Sequence, residues 1–184
     1  MNDLTFITGN PGKANEISRY LGFPVDHVSL ELEEIQSLNL EEIVKDKAMR
    51  AYGKVGRPVL VEDVSLVFRA FGKLPGPLIR WFLEELGNEG LCRLLDGKKD
   101  NTCVATVCYG LCDGKTVRLV SGDMEGTVAD HPRGDNSFGW ASMFVPAGMT
   151  KTYAELSNEE QAPIAMRRKA LEKLHKILTS GSEE

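Results

Sequence analysis

Leu4-Thr5-Phe6-Ile7-Thr8-Gly9-Asn10-Pro11-Gly12-Lys13 is the stretch that decides the fold. A mostly apolar run, Leu4 to Ile7, reads as a buried strand, Thr8 to Gly12 as a glycine turn, and a helical pattern opens at Lys13. A strand, a tight glycine turn and a lysine at a helix start together form a candidate phosphate cradle. Backbone N–H groups and the helix N-terminus supply partial positive charge, and Lys13 supplies a full one. It is not a Walker A loop, because Gly9 and Gly12 enclose two residues and Ala14 follows the lysine. The same letters also suit a plain turn with an exposed lysine.

Outward from this unit, the first helix should run from Lys13 to Leu21 and stop at Gly22, with a short strand over Val25–Leu30 beyond Pro24. The acidic Glu31-Leu32-Glu33-Glu34 precedes a helix over Leu40–Val55, whose apolar face of Leu40, Ile43, Val44, Ala48 and Ala51 is interrupted by Lys47. Val59–Val61 reads as a short strand that delivers Glu62 and Asp63 at its end. A helix from Pro77 carries Leu78, Ile79, Trp81, Phe82 and Leu86 up to Gly87, and a short one spans Glu89–Leu95. Asn101–Leu111 and Thr116–Asp130 form an antiparallel pair around the Asp113-Gly114 turn. Residues 131–148 are rich in loop signals, the last helix runs from Ala162 or Met166 to Leu178, and Thr179–Glu184 reads as a frayed tail. Strands and helices alternate first and a long hairpin follows. The pattern predicts one α/β domain over 1–184 with a mixed sheet.

A net charge of -5 and a pI near 5.3 give no general attraction to nucleic acid or to an anionic membrane. No apolar run approaches the roughly 20 residues of a membrane span. A small ligand and a cytoplasmic protein are therefore expected. Cys92, Cys103, Cys108 and Cys112 lack zinc-type spacing and read as free, mostly buried thiols.

Two acidic pairs, Glu33-Glu34 and Glu62-Asp63, could converge from neighbouring strand ends, and clustered carboxylates need a cation. Mg²⁺ suits oxygen donors of this kind, with waters and phosphates completing its shell. Lys13, Lys47 and Arg80 offer charge to a triphosphate; Lys47 could instead snorkel from its helix, and Arg80 could face solvent between a buried Ile79 and Trp81. Phe138-Gly139-Trp140 could stack a base or fill the core. Arg167-Arg168 opens the last helix, and a donor-only guanidinium would accept a purine 6-keto group and reject a 6-amino group.

Taken in order, Thr8-Gly9-Asn10-x-x-Lys13, Val61-Glu62-Asp63, Leu74-Pro75-Gly76-Pro77-x-x-Arg80-Trp81-Phe82, Ser137-Phe138-Gly139-Trp140, Thr152-Tyr153-Ala154-Glu155-Leu156 and Arg167-x-x-Ala170-Leu171 resemble the inosine triphosphate pyrophosphatase (Ham1-like) family. The resemblance implies a twisted mixed sheet flanked by helices, with two lobes and the nucleotide in the cleft between them. It implies a homodimer that hydrolyses ITP, dITP and XTP to monophosphate and pyrophosphate with Mg²⁺, Mn²⁺ being an alternative. Thr8, Gly9, Asn10, Lys13 and Lys47 would then hold phosphates. Glu34 and Asp63 would bind metal, and Asp63, with Lys13 and Glu62 beside it, would orient or deprotonate water. Arg80 stands where some relatives carry lysine. Val64, Phe138, Gly139, Trp140, Ala141, Gln161, Met166 and Arg167 would line the rest of the substrate site.

The chain departs from the family pattern near the base. Ala141 follows Trp140 where Asp is usual, Ala165-Met166-Arg167 replaces a Ser-His-Arg run, and Gln161 replaces a lysine. Lost polar readout would weaken base selection more than phosphate chemistry. A pyrophosphatase with shifted base preference is one alternative, and a non-catalytic nucleotide-binding protein is another, although retention of Glu34 and Asp63 argues against the latter.

Overall fold

The computed structural model describes residues 3–135 and 139–180. Strand β1 (Thr5–Ile7) is followed by helix α1 (Pro11–Leu21), β2 (Asp26–Val28), α2 (Leu40–Val55) and β3 (Val59–Phe68). Then come β4 (Pro75–Gly76), α3 (Ile79–Arg93), β5 (Thr102–Cys112), β6 (Val117–Val128), β7 (Phe144–Pro146), α4 (Asn158–Gln161) and α5 (Met166–Ser180). Among the described residues the strands form one seven-stranded sheet in the order β2-β1-β3-β5-β6-β7, with β4 paired to β3. It is mixed, since β1 is parallel to both β2 and β3, whereas β3–β4 and β6–β7 are antiparallel.

The chain divides into two compact units, Met1–Asp63 with Val107–Gly122 and Lys169–Glu184, and Val64–Thr106 with Asp123–Arg168. In the first, Ile7, Val59 and Val61 pack with Val44, Ala48 and Ala51 of α2 and with Cys108 and Cys112 of β5. Helix α2 forms where its signals place it: Asn39 caps the Glu41 N–H, and Gly56 closes the other end in the left-handed region at φ 70°. In the second unit, Trp140 packs on Phe144 with ring centroids 5.2 Å apart. There, a Cβ at Gly126 would lie 2.3 Å from the Val145 carbonyl, so glycine lets β7 approach β6.

Several expectations are corrected. Helix α1 begins at Pro11, two residues early, because Asn10 is the N-cap and proline is at home in the first helical turn. Glu62 and Asp63 lie inside β3, which runs on to Phe68; a charged pair that usually signals a strand end is tolerated here because lysines neutralise it. Trp81 is 60% exposed, not buried. Strand β7 lies within the stretch read as loop, signalled only by the short apolar run Met143-Phe144-Val145. The four cysteines are free and buried, as expected. Helix α5 starts at Met166 and continues to Ser180; the last four tail residues lie outside the described residues.

Candidate active site

The first unit gathers its polar groups at the C-terminal end of β1. That strand pairs Thr5 with Val59 and Phe6 with Leu60, and continuing this register by two residues brings Glu62 level with Thr8. The glycine turn and the acidic pair therefore stand side by side. This is also where the chain order reverses, with β2 on one side of β1 and β3 on the other, and parallel α/β sheets bind ligands at such a switch point.

The turn is ordered by its own side chains. Thr8 Oγ1 accepts from the Asn10 N–H at 3.1 Å, and Asn10 Oδ1 accepts from the Gly12 and Lys13 N–H groups at 2.9 and 3.4 Å. Those N–H groups are thus held by side-chain oxygens that an incoming phosphate would replace. A Cβ at Gly9 would lie 3.2 Å from Ser29 Oγ, so a larger residue would press the turn against the end of β2.

Adjacent residues of a strand point to opposite faces, and two helices serve the two faces. From α1, Lys13 Nζ reaches Glu62 Oε1 at 2.5 Å, where the Glu62 side chain is only 8% exposed. From α2, Lys47 Nζ lies 2.6 Å from Glu34 Oε1 and 3.8 Å from Asp63 Oδ2. Lys47 is therefore ion-paired and is not merely snorkelling. Glu34 and Asp63, placed on different elements, direct oxygens at one point of positive charge. That donor set, carboxylates without His or thiolate partners, fits a hard divalent cation that keeps several waters. Sequence reading missed Arg50 and Lys54, which hold Glu33 and the Glu31 carbonyl; the signal available was basic residues at i, i+3 and i+7 of α2 opposite an acidic run.

The remaining expected residues belong to the second unit, except that Phe138 lies outside the described residues. Val64 follows Asp63 in β3 and is half-buried. Arg80 is exposed, with Nε 2.8 Å from Glu84 Oε1 and its guanidinium 5.5 Å from the Trp81 ring centroid. The Gly139 carbonyl, next to Trp140 in the chain, accepts from Asn88 Nδ2 at 2.9 Å. Trp140 and Ala141 are buried. Gln161 Nε2 donates to the Tyr153 and Leu156 carbonyls at 2.8 and 3.2 Å, so its amide ties down the segment before α5. Met166, buried, and Arg167, half-buried, form the first turn of that helix.

The Ham1 family model matches residues 4–177. The chain is 42% identical over 186 residues to a Yarrowia lipolytica protein named inosine triphosphate pyrophosphatase, covering 98% of both chains. It is also 42% identical over 172 residues to inosine triphosphate pyrophosphatase 2 of Trypanosoma cruzi, covering 91% of this chain and 88% of that one. Among solved structures, the Staphylococcus aureus Ham1 protein superposes with a TM-score of 0.88 at 23% identity, over 97% of this chain and 99% of that one, a likeness of fold. By sequence and by fold, this chain belongs to the Ham1 family.

Proposed function

We propose that this chain is a Mg²⁺-dependent nucleoside triphosphate pyrophosphatase that cleaves ITP, dITP and XTP to the monophosphate and pyrophosphate. The observation that carries the reading is the juxtaposition at the end of β1 of a phosphate-type turn with two carboxylates focused on one cation position. The names of the two relatives above support the substrate class.

Each residue type suits a step of in-line attack by water on the α-phosphorus. The Thr8–Lys13 turn presents N–H donors to phosphate oxygens, exchanging the internal acceptors Thr8 Oγ1 and Asn10 Oδ1 for the ligand. Lys13 and Lys47 bring positive charge toward the departing pyrophosphate. Asp63 orients the water and accepts its proton, while Glu62 holds the Lys13 ammonium in place. A divalent cation held by Glu34 and Asp63, Mg²⁺ or in its place Mn²⁺, would withdraw charge from the phosphoryl oxygens. In the second unit, Arg80 would serve the phosphates by breaking its pair with Glu84, and Arg167 would read the 6-keto oxygen of the base. Residence in the cytoplasm and a homodimeric state complete the proposal.

One observation favours a shifted base preference as the second reading. The positions that depart from the family pattern are buried and apolar at Ala141 and Met166, and Gln161 donates to backbone carbonyls. Pyrophosphate release with Mg²⁺ across ITP, dITP, XTP, GTP, ATP, UTP and dTTP separates the two. Preference for ITP, dITP and XTP over ATP, and over GTP, which shares the 6-keto group, supports the first reading, and preference for another base supports the second.

A further inference from the structure

Helix α2 turns three cations toward the segment that follows β2, in reverse order along the chain. Lys47 Nζ donates to Glu34 Oε1 at 2.6 Å, Arg50 Nη1 to Glu33 Oε2 at 3.4 Å, and Lys54 Nζ to the Glu31 carbonyl at 2.7 Å. Residues 31–37 have no regular secondary structure, so these contacts tie the segment to the helix. The three cations are not equivalent. Lys54 holds backbone, and Arg50 is also bound to Asp46 at 2.6 Å. Lys47 alone of the three pairs with both Glu34 and Asp63. Its ammonium stands where the oxygens of the two carboxylates converge.

We propose that Lys47 is the resident counter-ion of the Glu34–Asp63 pair and exchanges with the divalent cation, leaving the carboxylates as the metal arrives, while Lys54 anchors the segment throughout. The inference rests on the reading of Glu34 and Asp63 as the metal pair. Two like charges held near one point repel unless a cation lies between them, and an ammonium and a divalent ion cannot occupy the same oxygens at the same place. Lys47 and the metal are therefore competitors when no nucleotide is present. Removing Lys47 strengthens metal binding, whereas removing Lys54 releases the Glu31 backbone and weakens it. A lysine with a purely structural role would not give these opposite signs.

The test is Mn²⁺ binding to the full chain without nucleotide, followed by the electron paramagnetic resonance of free Mn²⁺ at constant ionic strength, together with thermal melting in EDTA. We expect Lys47→Met to bind Mn²⁺ about tenfold more tightly than wild type, to melt lower in EDTA, and to gain more from added Mn²⁺. Lys47→Arg, which keeps the cation, should stay near wild type, and Lys54→Met, which frees the Glu31 backbone, should bind more weakly than wild type. If Lys47→Met does not melt cooperatively, Lys47→Gln takes its place. Unchanged or weaker Mn²⁺ binding by the neutral Lys47 variant, with binding lost in Asp63→Asn, overturns the counter-ion role and leaves the metal pair standing. Wild-type Mn²⁺ binding by Asp63→Asn overturns the metal pair itself, and with it this proposal.

Discussion

Lys13 in the first turn of α1 and Glu62 in β3, separated by 49 positions in the chain, meet at 2.5 Å with the carboxylate almost wholly out of solvent. The contact joins the glycine turn to the strand that carries Asp63, so it orders the site as well as the fold. Removing one partner leaves the other facing a partly dry environment, which costs more than the pair contributes when intact. We predict that Lys13→Met lowers stability by about 1–2 kcal/mol, the partial exposure of Lys13 softening the loss. Lys13→Met/Glu62→Gln should recover much of that loss. Urea denaturation of the two single variants and the double variant checks this, and strictly additive changes would show that the two residues do not couple.

Asp63 reaches Lys47 at 3.8 Å and lies in a strand whose pairing does not depend on its charge. Asp63→Asn keeps the shape of the side chain and removes its capacity to accept a proton. Turnover is predicted to fall by about 10²–10⁴-fold, with the thermal midpoint little changed. Near-normal hydrolysis by this variant would take Asp63 out of the mechanism.

If the base is read in this chain as proposed, Arg167 carries that readout, because Ala141 and Met166 are buried apolar residues and Gln161 donates to the Tyr153 and Leu156 carbonyls. Arg167→Ala should reduce the ratio of kcat/KM for ITP over ATP, by about tenfold or more if a charged hydrogen bond to the 6-keto oxygen is lost. An unchanged ratio would place base readout elsewhere.

Burial pushes the Cys103 thiol up to about 12 and the Cys92 thiol up to about 11, from an ordinary value of 9.0. A raised value in the folded state means that the unfolded chain loses its proton first. The folded state is favoured most below pH 9, and stability falls as pH rises from about 9 toward 12. For Cys103 the slope should be about 1 kcal/mol per pH unit. Chemical denaturation between pH 8 and 10.5 should show this decline, and Cys103→Ala should flatten it. An equal decline in that variant would assign the alkaline loss to other groups.

Much of this was legible in the chain because local signals and tertiary packing agreed. Asn39, the face of Ile43, Val44, Ala48 and Ala51, and Gly56 mark α2 from end to end, and the helix has those bounds. The glycine turn after β1 was equally plain, although Asn10 moved the helix start. What was hidden depended on partners far along the chain. Glu62 and Asp63 look like a strand end until Lys13 and Lys47 are seen to neutralise them. Trp81 has a core residue's chemistry, yet its helix turns it outward, and no local pattern announces this. Strand β7 consists of three residues whose pairing with Gly126–Val128 is set by close approach at a glycine of another strand.

The most direct test of the central claim is the fate of ITP hydrolysed by the wild-type protein with Mg²⁺ in water enriched in ¹⁸O. Attack on the α-phosphorus predicts IMP and pyrophosphate as products, with the label in IMP and none in pyrophosphate. IDP with labelled orthophosphate, or no hydrolysis of any nucleoside triphosphate, would contradict the account.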